Sequence, residues 1–403
     1  MTSHAHPREV TGIIHPQRLH RKSDALADIF DTGQVDFDGA QRINDIALAR
    51  IKKGVGAIGD VLLTHKGTVG RVARVPLDAP RFVCSPQTTF WRSLDVHQLD
   101  QSFLFAYLRS PAFSAQLRAR MHESDMAPYV SLTAQRSLSV LLPPIAEQRR
   151  IARVVDTLDN KLGSNRRLAG VLKQVGATYL AHIRISRAEQ MIILGELTLT
   201  IRRGITPKYC DDGGILVVNQ RCVRSGGIDF APTRRHDLQQ RGVPDERMLS
   251  NGDVLVNSTG VGTLGRVAAV RWLPEPATAD SHVTIVRPDP GSVEPEYLVW
   301  ELLNRRDIEA LAEGTTGQTE LSRTRFAGLP VMLPPPIEQR KFVALAGPLS
   351  RQSAALEQEA LSLAQARDFL LPGLISGEIR IPDTADPDEV LGPVAEEAAA
   401  VAR

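Results

Sequence analysis

The chain has 403 residues, 42% hydrophobic and 23% charged, and its 48 basic and 46 acidic residues leave a net charge of +2. That length divides into two or three domains and buries a sizeable core, while three cysteines (Cys84, Cys210, Cys222) with no Cys-x-x-Cys pair argue against a disulfide framework or a zinc site. No stretch approaches the ~20 apolar residues of a membrane helix and residues 1–10 lack the apolar core of a signal peptide, so a cytoplasmic protein is expected.

Along the chain, residues 61–64 and 71–75 predict two short strands around a turn rich in Gly and Thr, and residues 99–109 predict a helix. Leu142-Pro143-Pro144 stops a strand, and Glu147-Gln148-Arg149 opens a much longer helix. The series then begins again, with strands at 254–257 and 266–270, a helix over 295–304 and a second long helix after Leu333-Pro334-Pro335. The correspondence holds residue by residue. Gly33-Gln34-Val35-Asp36-Phe37 returns as Gly226-Gly227-Ile228-Asp229-Phe230, and Gly59-Asp60-Val61-Leu62 as Gly252-Asp253-Val254-Leu255. Gly67-Thr68-Val69-Gly70-Arg71-Val72-Ala73 returns as Gly262-Thr263-Leu264-Gly265-Arg266-Val267-Ala268. Four matches in one order make the chain two copies of a mixed α/β (α+β) module followed by a long helix.

Each long helix carries apolar residues at alternating spacings of three and four. The first places Ile151, Val155, Leu158, Leu162, Asn165, Ala169, Leu172, Gly176 and Tyr179 on one seam; the second places Phe342, Ala346, Leu349, Ser353, Leu356, Ala360, Leu363, Arg367 and Leu370 there. This is a coiled-coil pattern, and its flaws (Asn165 and Gly176; Ser353 and Arg367) fall at different places, so the two helices are expected to pair with each other as an antiparallel coiled coil. About 35 residues of helix make a rod of about 50 Å. Two ordinary amphipathic helices packed on their own modules are the plainer alternative. The expected division is a first module over 1–142, a central helical region over 143–190, a second module over 191–333, a distal helical region over 334–380, and a disordered acidic tail over 381–403. Two modules held apart by a rod form a ruler, in which each module can present loops to a separate stretch of DNA. Because they differ outside the shared framework, they should read unlike half-sites.

The order module, Leu-Pro-Pro-x-x-Glu-Gln-Arg helix, module, Leu-Pro-Pro-x-x-Glu-Gln-Arg helix resembles the specificity subunits of type I restriction–modification systems. Gly204-Ile205-Thr206-Pro207, the run Gly252 to Gly260, and Gly317-Gln318-Thr319-Glu320-Leu321-Ser322 are similar to elements of their target-recognition domains. The resemblance covers most of residues 30–380. It implies two target-recognition domains that bind double-stranded DNA. It also implies two copies of an adenine-N6 methyltransferase subunit docked on the helices, and a restriction (translocase) subunit. No cofactor would sit in this chain; S-adenosylmethionine, ATP and Mg would belong to the partners. The first module departs from the pattern, because no Gly-x-Thr-Pro precedes Gly33, and Gly12-Ile13-Ile14-His15-Pro16 is at best a distant counterpart.

Candidate DNA contacts are the turn residues Lys66 and Thr68 and their counterparts Ser258, Thr259 and Thr263, where glycines admit phosphate and hydroxyls donate to it. The same turns also fit glycines needed merely for positive φ. Arg202, Arg203, Thr206 and Lys208 could line the same surface, or only a solvated strand entrance. Ser322, Arg323 and Arg325, with Ser131, Thr133 and Arg136 in the first copy, suit a phosphate clamp ahead of each long helix. Glu147, Gln148, Arg149 and Glu338, Gln339, Arg340 read as structural helix openers, and the helix faces carrying Arg153, Lys161, Arg351 and Glu357 as a partner surface. Gly260-Val261-Gly262-Thr263-Leu264-Gly265 fits a dinucleotide fingerprint, but a strand and not a helix is expected next. Neither an adenine-methyltransferase Asp/Asn-Pro-Pro-Tyr motif nor a phosphate-binding Gly-x-x-x-x-Gly-Lys-Ser/Thr loop occurs. A coiled-coil adaptor that binds proteins and not DNA is the alternative from another class, favoured only by the weak net charge.

Overall fold

A computed structural model describes residues 33, 35, 37, 54–121, 127–187, 190–224, 226–260, 262–313 and 319–381. The residues expected to form the acidic tail, from 382 on, and Gly12 to Pro16 lie outside the described residues. The chain divides into two compact units: Met1–Gly163 with Ala360–Arg403, and Ser164–Glu359.

The first unit holds a three-stranded antiparallel sheet in the order β2-β1-β3, from β1 (Val61–Thr64), β2 (Val72–Arg74) and β3 (Thr88–Trp91). The expected hairpin is therefore present. Every residue of β1 is buried: α1 (Gln101–Leu108) and α2 (Pro111–Arg118) cover Val61 and Leu63 on one face, and Leu62 packs with Ala73, Val75 and Cys84 on the other. Asp100 caps α1 by accepting from the amides of Ser102 and Phe103 at 3.0 Å, and Ser110 caps α2 through Phe113 at 3.2 Å. A short α3 (Leu132–Arg136) precedes the long α4 (Ile145–Arg187), whose opening turns join this unit's core through Ile151, Val155 and Leu158.

The second unit begins with β4 (Gln190–Ile193) and β5 (Thr198–Arg203). It continues with β6 (Tyr209–Cys210), β7 (Ile215–Val218), β8 (Val223–Arg224), β9 (Gly227–Ile228) and β10 (Arg234–His236). Then come β11 (Val254–Asn257), β12 (Val267–Ala269), β13 (Ala277–Ala279) and β14 (Val283–Pro288), the helix α5 (Pro295–Leu303), β15 (Ala312–Glu313) and β16 (Glu320–Leu321). A short α6 (Arg323–Ala327), β17 (Pro330–Leu333) and the long α7 (Pro336–Ser376) complete it. The sheet β12-β11-β14-β5 repeats the first unit's sheet with β5 added at its edge, and a further sheet, β13-β7-β10-β6, has no described counterpart in the first unit.

The repeat extends to buried polar contacts. In the first unit Arg92 forks onto Asp60 at 2.6 and 2.8 Å; in the second Arg287 forks onto Asp253 at 2.7 Å through both nitrogens. Both carboxylates are 1% exposed, so each arginine supplies the charge partner that burial demands. Tyr107 donates to the Ser139 carbonyl and Tyr297 to that of Met332. The two glutamines of the Glu-Gln-Arg motifs are buried latches. Gln148 donates to the carbonyls of Gln98 (2.9 Å) and Pro143 (2.8 Å) and accepts from the Asp100 amide (2.9 Å). Gln339 donates to Pro334 (2.8 Å) and accepts from the Glu294 amide (3.0 Å). Each ties the first turn of a long helix to the helix start of its own module, which is the structural role expected of the motif.

Every seam residue of α4 and α7 is buried or half-buried. In the first unit Asp159 of α4 receives Arg367 of α7 at 2.8 Å and also pairs with Arg109. Burial pushes the Asp159 carboxyl up, but the two guanidiniums outweigh it and hold it below the usual carboxylate range. In the second unit Tyr179 of α4 stacks on Phe342 of α7 with centroids 5.7 Å apart, and Ser353 donates to the Ala169 carbonyl. The second unit's pairs run in opposite sequence directions, so the segments of α4 and α7 within that unit are antiparallel. The seam's flaws have occupations. Gly176 is the socket for the Trp300 ring, which a Cβ there would meet at 2.2 Å. Arg367 is the cation for Asp159, and Asn165 is buried with no partner for its amide nitrogen among the described residues. Glu357, expected on the exposed partner face, instead pairs with Lys173 and is half-buried, because seam geometry turns it toward α4; Arg153, Lys161 and Arg351 are exposed.

Candidate nucleic-acid interface

In the first unit the β1–β2 turn is fixed against the strand-like segment before α3. Val130 donates its amide to the His65 carbonyl (2.8 Å), the Gly67 amide donates to Pro128 (3.0 Å), and His65 Nδ1 lies 3.1 Å from the Val130 carbonyl. Gly67 and Gly70 have φ of 78° and 97°, values that favour glycine, and Gly67 has open space where a Cβ would stand. Lys66 and Thr68 in this turn are exposed, as are Thr133 and Arg136 of α3. Ser131 is half-buried and spends its hydroxyl capping α3, accepting from the Ala134 amide at 3.1 Å. Burial lowers the pKa of His65 most, with Lys66 adding to the effect, against the raising influence of the Val130 and Pro86 carbonyls.

In the second unit the equivalent turn pairs with the segment before α6: the Leu321 amide donates to the Ser258 carbonyl (2.7 Å), and Thr259 bridges Glu320. Asn257, at the position of Thr64, donates from its side chain to the Gln220 carbonyl (2.9 Å), which ties the turn to the long lead-in of this module. Here the expectation for Ser258 is corrected. Its side chain is fully buried and its hydroxyl contacts Thr284 Oγ1 (2.5 Å), so it pins the end of β11 and reaches no surface. Thr259 and Thr263 are half-buried; Thr259 Oγ1 lies 2.8 Å from His282 Nδ1, and Thr263 donates to the Thr259 carbonyl. Gly260 to Gly265 are followed by β12 and not by a helix, so the nucleotide-fingerprint spacing has no helix N-terminus to aim at a pyrophosphate.

The strongest convergence is a cleft of about 710 Å³ lined by Arg202, Arg203, Arg247, Glu313, Glu320, Leu321, Ser322 and Arg323. It unites two groups of candidates more than a hundred residues apart, the end of β5 and the start of α6. Arg323 is exposed at its rim. Arg325, also exposed, lies 3.9 Å from Glu313. Arg202 pairs with Glu246 at 3.1 Å, and Arg203 pairs with Glu320. Thr206 and Lys208 are exposed but continue toward β6 and do not line the cleft. Arg247 was not anticipated. It donates to the Gly204 carbonyl at 3.2 Å, and its buried Nε has no acceptor among the described residues. Its only trace in the sequence is the charged turn Asp245-Glu246-Arg247, which lies far from both groups along the chain. A cleft whose guanidiniums outnumber its carboxylates suits phosphate oxygens, which arginine grips with two parallel bonds.

Among the described residues no group of three or more His, Cys, Asp or Glu side chains could hold a metal ion, and no helix is long and apolar enough to cross a membrane. Burial pushes the Cys84 thiol up to about 12 and that of Cys222 up to about 11, so both stay protonated at neutral pH.

Comparison with known proteins follows the same line. Residues 20–174 match the family described as type I restriction modification DNA specificity domain. The type I restriction enzyme MjaIX specificity subunit of Methanocaldococcus jannaschii is 22% identical over 378 residues, covering 85% of this chain and 83% of the relative. The putative MjaX specificity subunit of the same organism is 21% identical over 189 residues, 45% of this chain; there the match spans only 44% of the relative. Among solved structures, the type I restriction–modification S subunit from M. genitalium is 18% identical, with a TM-score of 0.48 over 83% of this chain and 86% of that one. The HsdS subunit from Thermoanaerobacter tengcongensis is 21% identical, with a TM-score of 0.32 over 81% and 82%. With the family match on the first copy and a relative matched along most of both chains, the chain is similar to type I restriction–modification specificity subunits, and residues 20–174 match their DNA specificity domain.

Proposed function

We propose that this chain is the DNA-reading subunit of a type I restriction–modification complex. It recognises an asymmetric, bipartite double-stranded target, one half-site per module, and carries no catalysis itself. The observation that carries the reading is a scaffold duplicated down to its buried ion pairs and latches, yet bearing unlike surfaces. One copy offers Lys66, Thr68, Thr133 and Arg136; the other offers an arginine cleft. In this reading the modules are residues 1–142 and 191–333, and the helical regions 143–190 and 334–380 pair as an antiparallel coiled coil that sets the gap between half-sites. The exposed helix faces, with Arg153, Lys161 and Arg351, dock two copies of an adenine-N6 methyltransferase subunit and admit a restriction subunit in the cytoplasm. S-adenosylmethionine, ATP and Mg are then held by those partners, and base flipping belongs to the methyltransferase.

The test is co-expression with a type I modification methyltransferase subunit from the same source, followed by mapping of N6-methyladenine. The expected result is methylation at one asymmetric motif of two short half-sites around a fixed gap. A palindrome or single half-site would mean that the first module does not read DNA. A stable complex without sequence-specific methylation would favour the protein-binding adaptor.

A further inference from the structure

Three of the arginines in or beside the second module's cleft are already occupied. Arg203 is paired with Glu320, Arg202 with Glu246 and Arg325 with Glu313, and the three carboxylates are about half exposed, at 51%, 49% and 59%. Arg247 and Arg323 have no carboxylate partner among the described residues, and Arg247 keeps an unspent donor at Nε. We propose that the cleft is a carboxylate-guarded phosphate clamp. Arg247 and Arg323 take the first DNA phosphate, and further grip requires phosphates to displace Glu320, Glu246 and Glu313 from their arginines. The inference rests on the DNA-reading function above and adds how that function is restrained.

The chemistry favours exchange over a lock. A carboxylate and a phosphodiester present the same pair of oxygens to a guanidinium, so each glutamate is a tethered competitor for the site DNA must use. Exposed pairs of this kind are weak, so they yield to a duplex whose other contacts are made, but they tax a duplex held by phosphates alone. The guard therefore lowers sequence-independent affinity and widens the margin between cognate and random DNA. It also leaves a signature in salt dependence. Each arginine moved from glutamate to phosphate frees a carboxylate that gathers cations, cancelling part of the counterion release from DNA.

The experiment measures binding of the full chain to a short duplex of random sequence by fluorescence anisotropy across a salt series. Glu320→Gln should tighten binding about two- to fivefold, the range an exposed pair spans, and steepen the log K against log salt slope by about one. Arg203→Gln should weaken binding and flatten the slope, and Glu320→Gln added to it should change nothing further. If Arg203→Gln binds as the parent does, the guard is overturned, and if Arg247→Gln combined with Arg323→Gln also binds as the parent does, the cleft does not contact DNA and both readings of it fall. If Arg203→Gln weakens binding while Glu320→Gln leaves affinity and slope unchanged or lowers them, the guard is overturned and the DNA contact stands.

Discussion

The two modules share their interior and differ on their surface. Asp60–Arg92 and Asp253–Arg287 occupy the same place in the same sheet, as do Gln148 and Gln339 at the helix entrances. At the turn the copies diverge. His65 and Lys66 in one stand where buried Ser258 and half-buried Thr259 stand in the other, and only the second turn is tied to a described lead-in, through Asn257 and Gln220. The lesson is that duplication preserved the contacts whose loss would strand a buried polar group and released those facing solvent. That is the division of labour expected when one scaffold serves two ligand sequences.

The comparison can be broken first at the shared ion pair. Arg287→Met strands a carboxylate that is 1% exposed and should cost about 3 kcal/mol in urea unfolding. Arg92→Met should cost clearly less, about 1–2 kcal/mol after solvent screening, because Arg92 is 44% exposed. Equal losses would mean that the two pairs sit in equivalent environments. Next is the helix seam. Gly176→Leu restores an ideal apolar repeat yet should destabilise by about 2–3 kcal/mol, since the Trp300 ring fills that space. A stabilised variant would show that the tryptophan can leave. Replacing either latch glutamine by leucine should cost about 1–3 kcal/mol through an orphaned amide and carbonyl, with Gln148 the larger because it makes three bonds to the two of Gln339. The smallest effect sharpens the difference between the turns. The folded pKa of His65 lies below its unfolded value, so neutral His65 costs nothing at high pH, and stability falls as pH drops below about 6.5 through the folded pKa. His65→Ser, which copies the second module, should remove that slope from a pH series of unfolding midpoints, whereas an unchanged slope would assign it to other groups.

Much of this was legible in the sequence. The two hairpins, the helices after them, the repeat and the seam frame all rest on short-range periodicity, which the backbone fixes locally. The seam shows the limit of that logic. Asn165, Gly176, Ser353 and Arg367 look like flaws when each helix is read alone, but Gly176 and Arg367 are fitted to Trp300 and Asp159 from elsewhere in the chain. Likewise α7 remains helical across Pro348 and Pro372, positions where local rules would end it, because tertiary packing outweighs a missing hydrogen bond. Ser258 reads as a surface hydroxyl in a Gly-rich turn, yet the cross-strand neighbour Thr284 buries it.

What the sequence determined by itself was the plan: two modules, two long helices and a common set of buried residues, because repetition and periodicity are properties of the chain as written. What only the tertiary structure decided was the arginine cleft. Arg203, Arg247 and Arg323 are far apart in sequence, and their convergence, with the glutamates that restrain their neighbours, depends on how β5, the 245–247 turn and α6 are brought together. Electrostatic sites are made by distance in space, and distance in space is fixed only when the core has packed.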